Sequence, residues 1–231
     1  MGGLVSQWMD FAPKVRQKIE TGKHSARIIS AEVHNKSPFL FVMNDNNDSK
    51  AIIMTKTDSI IIRLATPKDA KAIQEIYAPY VRETAITFEY DVPTAEEMVQ
   101  RIMKVEEKYP WLVAEEDGKV IGYAYASPFK ERDAYQWSVE TSIYVEAGAK
   151  GRGIGRLLHE TLEETLKVQG ILNLNACIAF IEHDDPNLPL DSVYFHERMG
   201  YTKVAHFHLC GKKFGRWYDM IWMEKLIGEH Q

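Results

Sequence analysis

Residues 139–168 constrain this chain more than any other stretch. They read Val-Glu-Thr-Ser-Ile-Tyr-Val-Glu-Ala-Gly-Ala-Lys-Gly-Arg-Gly-Ile-Gly-Arg-Leu-Leu-His-Glu-Thr-Leu-Glu-Glu-Thr-Leu-Lys-Val. An extended run leads into three glycines at alternate positions, Gly151, Gly153 and Gly155, and leaves as an amphipathic pattern. The pattern predicts a helix that buries Leu157, Leu158, Thr161, Leu162, Thr165 and Leu166 and leaves Glu160, Glu163, Glu164 and Lys167 in water. A strand that turns on glycines into a helix gathers N–H groups at the positive end of the helix dipole. It therefore suits an anion, above all a phosphate-bearing ligand.

The surrounding chain gives that unit its place. From residue 59 the signals are regular. Ile60–Leu64 is a β-branched strand, and Thr66-Pro67-Lys68-Asp69 caps a helix whose inward stripe is Ala70, Ile73, Ile76, Tyr77 and Tyr80. Thr94-Ala95-Glu96-Glu97 is a capping box that opens a second helix, with Met98, Ile102 and Val105 inward. Strands at 111–115 and 120–126 flank a hairpin turn at 116–119, and a long strand at 136–145 enters the glycines. A strand at 171–180, a short helix at 190–199 and an antiparallel pair at 202–209 and 216–225 follow. The order predicts an α+β domain at 59–231 built on one mixed sheet.

Residues 1–58 differ and carry no recognisable chemistry. A short helix at 6–20 and paired strands at 26–33 and 39–43 are expected, then a polar turn at 44–50, as an accessory or partly disordered extension. A net charge of −5 argues against a general nucleic-acid surface, and no apolar run reaches the ~20 residues of a membrane span. Two cysteines, Cys177 and Cys210, suggest no disulfide framework, so a reducing cytoplasm is the default.

The glycine spacing is G-x-G-x-G after a fourth strand. That excludes a dinucleotide fingerprint, which follows a first strand as G-x-G-x-x-G, and a P-loop, which needs G-x-x-x-x-G-K-[ST]. Lys150-Gly151-Arg152-Gly153-Ile154-Gly155 resembles instead the [QR]-x-x-G-x-[GA] fingerprint of the GNAT superfamily of N-acetyltransferases, with lysine in first position. Four further blocks are similar to its phosphinothricin / methionine sulfoximine acetyltransferase subfamily: residues 87–91, 123–140, 195–201 and 213–219. The resemblance covers 59–226. It implies a GNAT fold, a central, mostly antiparallel mixed sheet flanked by helices, and direct acetyl transfer from acetyl-CoA to a small-molecule amine. It also implies a homodimer.

Such a transfer needs a deprotonated amine, a fixed donor for the oxyanion and an acid near the departing thiolate. By the resemblance, pantetheine would run along Ile143-Tyr144-Val145, with a main-chain N–H at or beside Val145 facing the thioester carbonyl. The pyrophosphate would lie on residues 150–156, Lys150, Gly151, Arg152, Gly153, Ile154, Gly155 and Arg156. Ser192 and Phe195 complete the cofactor set. Pro189 stands where the subfamily has asparagine, so Asn187 or Asp191 is the candidate replacement. The base candidates are Asp91, which is a glutamate in the subfamily, Glu140 and, more weakly, Glu89. His196 suits acid or base chemistry. Phe88, Arg132, Tyr135, Trp137 and Lys213 would form the acceptor pocket, the arginine gripping a carboxylate. Trp137 and Trp217 also read as sheet-packing residues.

Other readings stay open. Another small amine or a protein N-terminus would suit the same chemistry, and a non-catalytic acyl-CoA-binding module would keep the glycine turn without a base. His206, His208 and Cys210 alternate as metal ligands do, but with no fourth ligand in view no metal is expected. Cys177 reads as a buried structural thiol, since it has no cationic neighbour to activate it.

Overall fold

The computed structural model describes residues 59–230 in full and, before them, the backbone of 26–31, 39–44 and 52–56. The expected helix at 6–20 and most of the turn at 44–50 lie outside the described residues. The strands are β1 (Ala26–Ala31), β2 (Phe39–Asn44), β3 (Ile52–Lys56), β4 (Ile60–Leu64), β5 (Trp111–Glu116), β6 (Lys119–Pro128), β7 (Ser138–Val145), β8 (Asn173–Phe180), β9 (Thr202–Lys213) and β10 (Arg216–Leu226). The helices are α1 (Ala70–Glu83), α2 (Ala95–Glu106), α3 (Ile154–Val168) and α4 (Asp191–Arg198). One sheet holds them in the order β1-β2-β3-β4-β5-β6-β7-β8-β10-β9. Seven strands from β4 onward form the mostly antiparallel mixed sheet of the α+β domain. β3 extends its edge through Thr55 and Lys56, opposite Ile62 and Ile61.

Local signals explain most boundaries. Thr66 and Asp69 cap each other's backbone, but over a 3-10 turn at Pro67–Asp69 that precedes α1. Thr94 Oγ1 accepts the Glu97 N–H at 3.1 Å, and Glu97 Oε2 accepts the Thr94 N–H at 2.7 Å, closing the capping box of α2. β7 begins at Ser138 and not at 136, because Gln136 N–H closes a 3-10 turn on Asp133. β8 begins at Asn173 and not at 171, because Ile171 N–H ends α3 by donating to Leu166. β9 runs past the expected 209 to Lys213, held by pairs from Arg216–Lys213 to Tyr218–Gly211.

The two faces of the sheet bury different cores. Ile62, Leu112, Ala124, Val139, Leu174, Ala176, Ile221 and Met223 meet α3 and α4 through Leu158, Leu162, Leu166 and Val193. The other face meets α1 and α2 through Ile73, Ile76, Tyr77, Met98, Ile102, Trp111 and Tyr123. There Trp111 stacks on Tyr125 at 4.1 Å between centroids, and Tyr123 on Tyr144 at 5.2 Å.

Three expectations are corrected. Glu163 is buried, because Lys225 and Lys167 reach its carboxylate at 2.6 and 2.8 Å. Trp137 and Trp217 are exposed, Trp137 at the foot of β7 and Trp217 at the β9–β10 turn, where the sheet ends. Cys177 is also exposed, since the strand beside it diverges. Among the described residues no helix is long and apolar enough to cross a membrane.

Candidate active site

The site forms where β7 and β8 part. Their parallel pairing covers Ser138 with Asn173, Val139 with Leu174 and Glu140 with Asn175. Past Glu140, β7 stays with β6 while β8 stays with β10. Glu146 N–H donates to Ile121 at 2.9 Å, so the antiparallel alternation turns the main-chain groups of Ile143 and Val145, beyond the last pair with β8, away from β6 and into the opening. Of the expected trio, Ile143 and Val145 thus offer backbone. Tyr144 offers its ring, which packs edge-on against Tyr77 and Tyr80. Tyr80 Oη donates to the Val145 carbonyl at 2.6 Å, leaving the Val145 N–H open. An open cleft results, lined by Thr141, Ile143, Cys177, Leu188, Ser192 and His196 among others. Unpaired strand groups beside apolar walls fit the amides and chain of pantetheine.

The glycine turn closes one end. Gly151 and Gly153 take φ +76° and +81°, and a Cβ at either would meet nothing within 4 Å. Their requirement is therefore backbone handedness and not space. Gly153 is the N-cap of α3 and no side chain caps the helix, so its first N–H groups face outward unpaired. Gly155 serves packing, since a Cβ there would lie 3.4 Å from the Phe195 ring. Ile154 is buried in the α3 core. Lys150 Nζ sits 5.5 Å from the Tyr80 ring centroid. Arg152 and Arg156 are engaged elsewhere, Arg152 bidentate to Glu116 and Arg156 to Glu160 at 2.8 Å. Backbone donors at a helix start remain, and they fit a pyrophosphate.

Helix α4 brings His196 to the cleft. Its Nδ1 lies 2.7 Å from the Ser192 carbonyl, which can only accept, so Nδ1 carries the proton. Among the described residues Nε2 has no hydrogen-bond partner, and the ring lines the cleft, so its lone pair is the one offered there. Burial lowers the His196 pKa, and the Ser192 bond offsets that in part. Asn187 takes no part in the cleft. Its amide donates to Glu83 at 3.1 Å, its carbonyl accepts from Ala85 at 2.8 Å, and it pins the loop to the end of α1.

Glu140 lies on the opposite face. Thr141 points to the α3–α4 side, where its Oγ1 is 3.3 Å from Tyr201 Oη, so its neighbour Glu140 points to the other. Burial raises the Glu140 pKa, with Lys130 offsetting it. The Cys177 sulfur shares this face. Although the residue is exposed, desolvation of the sulfur and then the nearby Glu140 carboxylate push the thiol up to about 12. A thiol so firmly protonated is not an acyl carrier.

Phe88 sits on the same face, beside Tyr218 and against Gly211. Lys213 is buried and its Nζ donates to the Thr87 carbonyl at 2.7 Å, tying β9 to the loop that carries Phe88. Arg132 and Tyr135 are exposed in the loop between β6 and β7. Asp91 is exposed and is not among the residues that line the cleft. Glu89 is held by Arg101 at 2.7 and 3.0 Å and accepts from Tyr77. Its carboxylate belongs to an ion pair. The sequence reading missed Tyr80 and Lys130 as neighbours of the site. Tyr80 lay on the inward stripe of α1, but nothing local named the carbonyl it reaches.

Residues 62–222 match the model of the acetyltransferase (GNAT) domain. The chain is 36% identical over 159 residues to a phosphinothricin N-acetyltransferase of Streptomyces viridochromogenes, covering 69% of this chain and 83% of the relative. It is 33% identical over 170 residues to an L-methionine sulfoximine/L-methionine sulfone acetyltransferase of Salmonella typhimurium, covering 73% and 95%. A phosphinothricin acetyltransferase of Sinorhizobium meliloti solved in complex with AcCoA superimposes with a TM-score of 0.67 at 33% identity, covering 74% of this chain and 89% of that one. The split sheet, the uncapped helix start and these likenesses agree: the chain belongs to the GNAT family of acetyltransferases.

Proposed function

We propose that the protein transfers acetyl from acetyl-CoA to the α-amine of a small amino-acid-like acceptor of the phosphinothricin or methionine sulfoximine type. The observation that carries this reading is the division of labour across the opening. Glu140 faces one side of the sheet, beside Cys177, and His196 lines the cleft from the other. When bound, acetyl-CoA supplies an activated thioester carbonyl. Glu140, with its raised pKa, takes the proton of the incoming amine, directly or through a water. The N–H of Ile143 or Val145 donates to the carbonyl oxygen as its charge develops. Neutral His196 holds a water through its Nε2 lone pair, and that water gives the departing thiolate its proton. Arg132 and Tyr135 meet the acceptor at the exposed rim.

A homodimer in a reducing cytoplasm completes the reading. The two free cysteines support the compartment, and the apolar residues Val204, Phe207 and Leu209, exposed on edge strand β9, support the dimer. The test is thiol release from acetyl-CoA with methionine sulfoximine, phosphinothricin, other amines and an N-terminal peptide. Release with the first two carries the proposal. Tight coenzyme A binding with no release from any amine would reduce the protein to a binding module.

A further inference from the structure

The structure assigns a divalent transition-metal site, of the kind that takes Zn²⁺, to His206, His208 and Asp219. Sequence alternation paired the two histidines with Cys210, but a bulge changes the third partner. β9 shifts register against β10 between Tyr218 and Met220, and Cys210 turns out to solvent. Asp219 fills the gap. Its Oδ2 lies 2.8 Å from His206 Nε2 and 3.2 Å from His208 Nδ1, and the ligand atoms of the three residues all fall within 4.8 Å of one another. A tetrahedral ion with bonds of about 2.0–2.1 Å separates its ligands by ~3.3 Å, so the two histidine–aspartate separations already stand near the spacing an ion needs. Asp219 Oδ1 accepts the Leu209 N–H at 2.8 Å, which orients the carboxylate as an outer partner orients a metal ligand. Leu209 holds φ +49°, a conformation that a leucine rarely adopts and that the bulge imposes.

Two imidazoles and one carboxylate select a borderline ion over Mg²⁺ or Ca²⁺. Neutral imidazoles shift their protons to the other ring nitrogen, and the lone pairs that then face Oδ2 receive the ion. His208 is 71% exposed, so a water completes the shell. The cluster lies on the α3–α4 face with Ile221, opposite the face that carries Glu140 and Cys177. Its role is therefore to clamp the β9–β10 hairpin, apart from acetyl transfer.

The full-length protein, freed of metal by chelation, is titrated with Zn²⁺ by calorimetry and against a chromophoric chelator, with Mg²⁺ as control. One Zn²⁺ per chain of micromolar or tighter affinity is expected. His208→Ala, at an exposed position that leaves folding intact, weakens it on the order of 10-fold or more. His206→Ala and Asp219→Asn do the same, and acetyl-CoA affinity is unchanged in all three. Co²⁺ at the site gives the visible absorption of a four-coordinate ion. No stoichiometric Zn²⁺, or an equivalent that persists in the His206→Ala/His208→Ala double variant, would overturn the assignment and leave a plain hydrogen-bonded cluster.

Discussion

His196 Nδ1 lies 2.7 Å from the carbonyl oxygen of Ser192, one turn earlier on the same helix. That bond fixes the tautomer and leaves Nε2 as the atom offered to the cleft. Burial keeps the ring neutral near pH 7, so it reaches a ligand as an acceptor and not as a cation. His196→Ala should lower kcat by about 100-fold while acetyl-CoA affinity stays within a small factor. Steady-state kinetics and calorimetry check both. Wild-type turnover in the variant would remove His196 from the reaction.

Glu140 carries a raised pKa, so as pH rises through that value the carboxylate forms and can accept a proton. Activity should climb along an acid limb of the kcat/KM profile and fall about 100-fold or more in Glu140→Gln. The variant should also lose that limb. A profile with the same limb in Glu140→Gln assigns it to another group.

Gly153 needs left-handed backbone but has open space around it. Gly153→Ala should cost about 1–2 kcal/mol of stability and retain measurable coenzyme A binding. Gly153→Glu adds a carboxylate beside the unpaired N–H groups and should abolish that binding. Calorimetry with coenzyme A separates the two, and equal affinity in both would move the pyrophosphate elsewhere.

Buried His159 is a pH liability of the fold. Desolvation first, then nearby His196, holds it at about 3 against an ordinary 6.5, with its Nε2 2.9 Å from Tyr201 Oη. Between those values the unfolded chain binds a proton that the native state refuses, so stability falls as pH falls from about 6.5 toward 3. One such group contributes a slope of up to about 1.4 kcal/mol per pH unit. Urea denaturation at pH 7.5, 6 and 5 should show this loss, and His159→Gln should flatten it. An unchanged slope would assign the loss to other groups.

Lys213 ties β9 to the Phe88 loop through Thr87. Lys213→Met should raise KM for the acceptor several-fold and leave KM for acetyl-CoA unchanged. A matched rise in both would mean that the tie supports the whole fold and not the acceptor side.

The glycine turn, both capping signals and the succession of strands and helices along the chain were legible because each is written in neighbouring residues. Thr94 with Glu97 and Gly151 with Gly153 state their geometry locally. Glu163 was misread because its partner Lys225 lies on the last strand, 62 positions away. Cys177 was misread because an apolar strand is normally covered on both sides, and no local signal says that β7 and β8 separate after Glu140. Among the site residues, Ile143 and His196 line the cleft. Asn187 and Arg152 are drawn off by Glu83 and Glu116, partners that only the fold supplies.

The short pairing of β7 with β8 has a thermodynamic consequence. With main-chain groups of Ile143 and Val145 lacking a neighbouring strand the sheet is unfinished, and under the proposed function the pantetheine of acetyl-CoA finishes it. Binding to the native state alone adds RT ln(1 + [L]/Kd), about 2.7 kcal/mol at a hundredfold excess over Kd. The melting temperature of this protein thereby becomes a gauge of coenzyme supply. A cell short of acetyl-CoA would hold not only an idle enzyme but a less durable one.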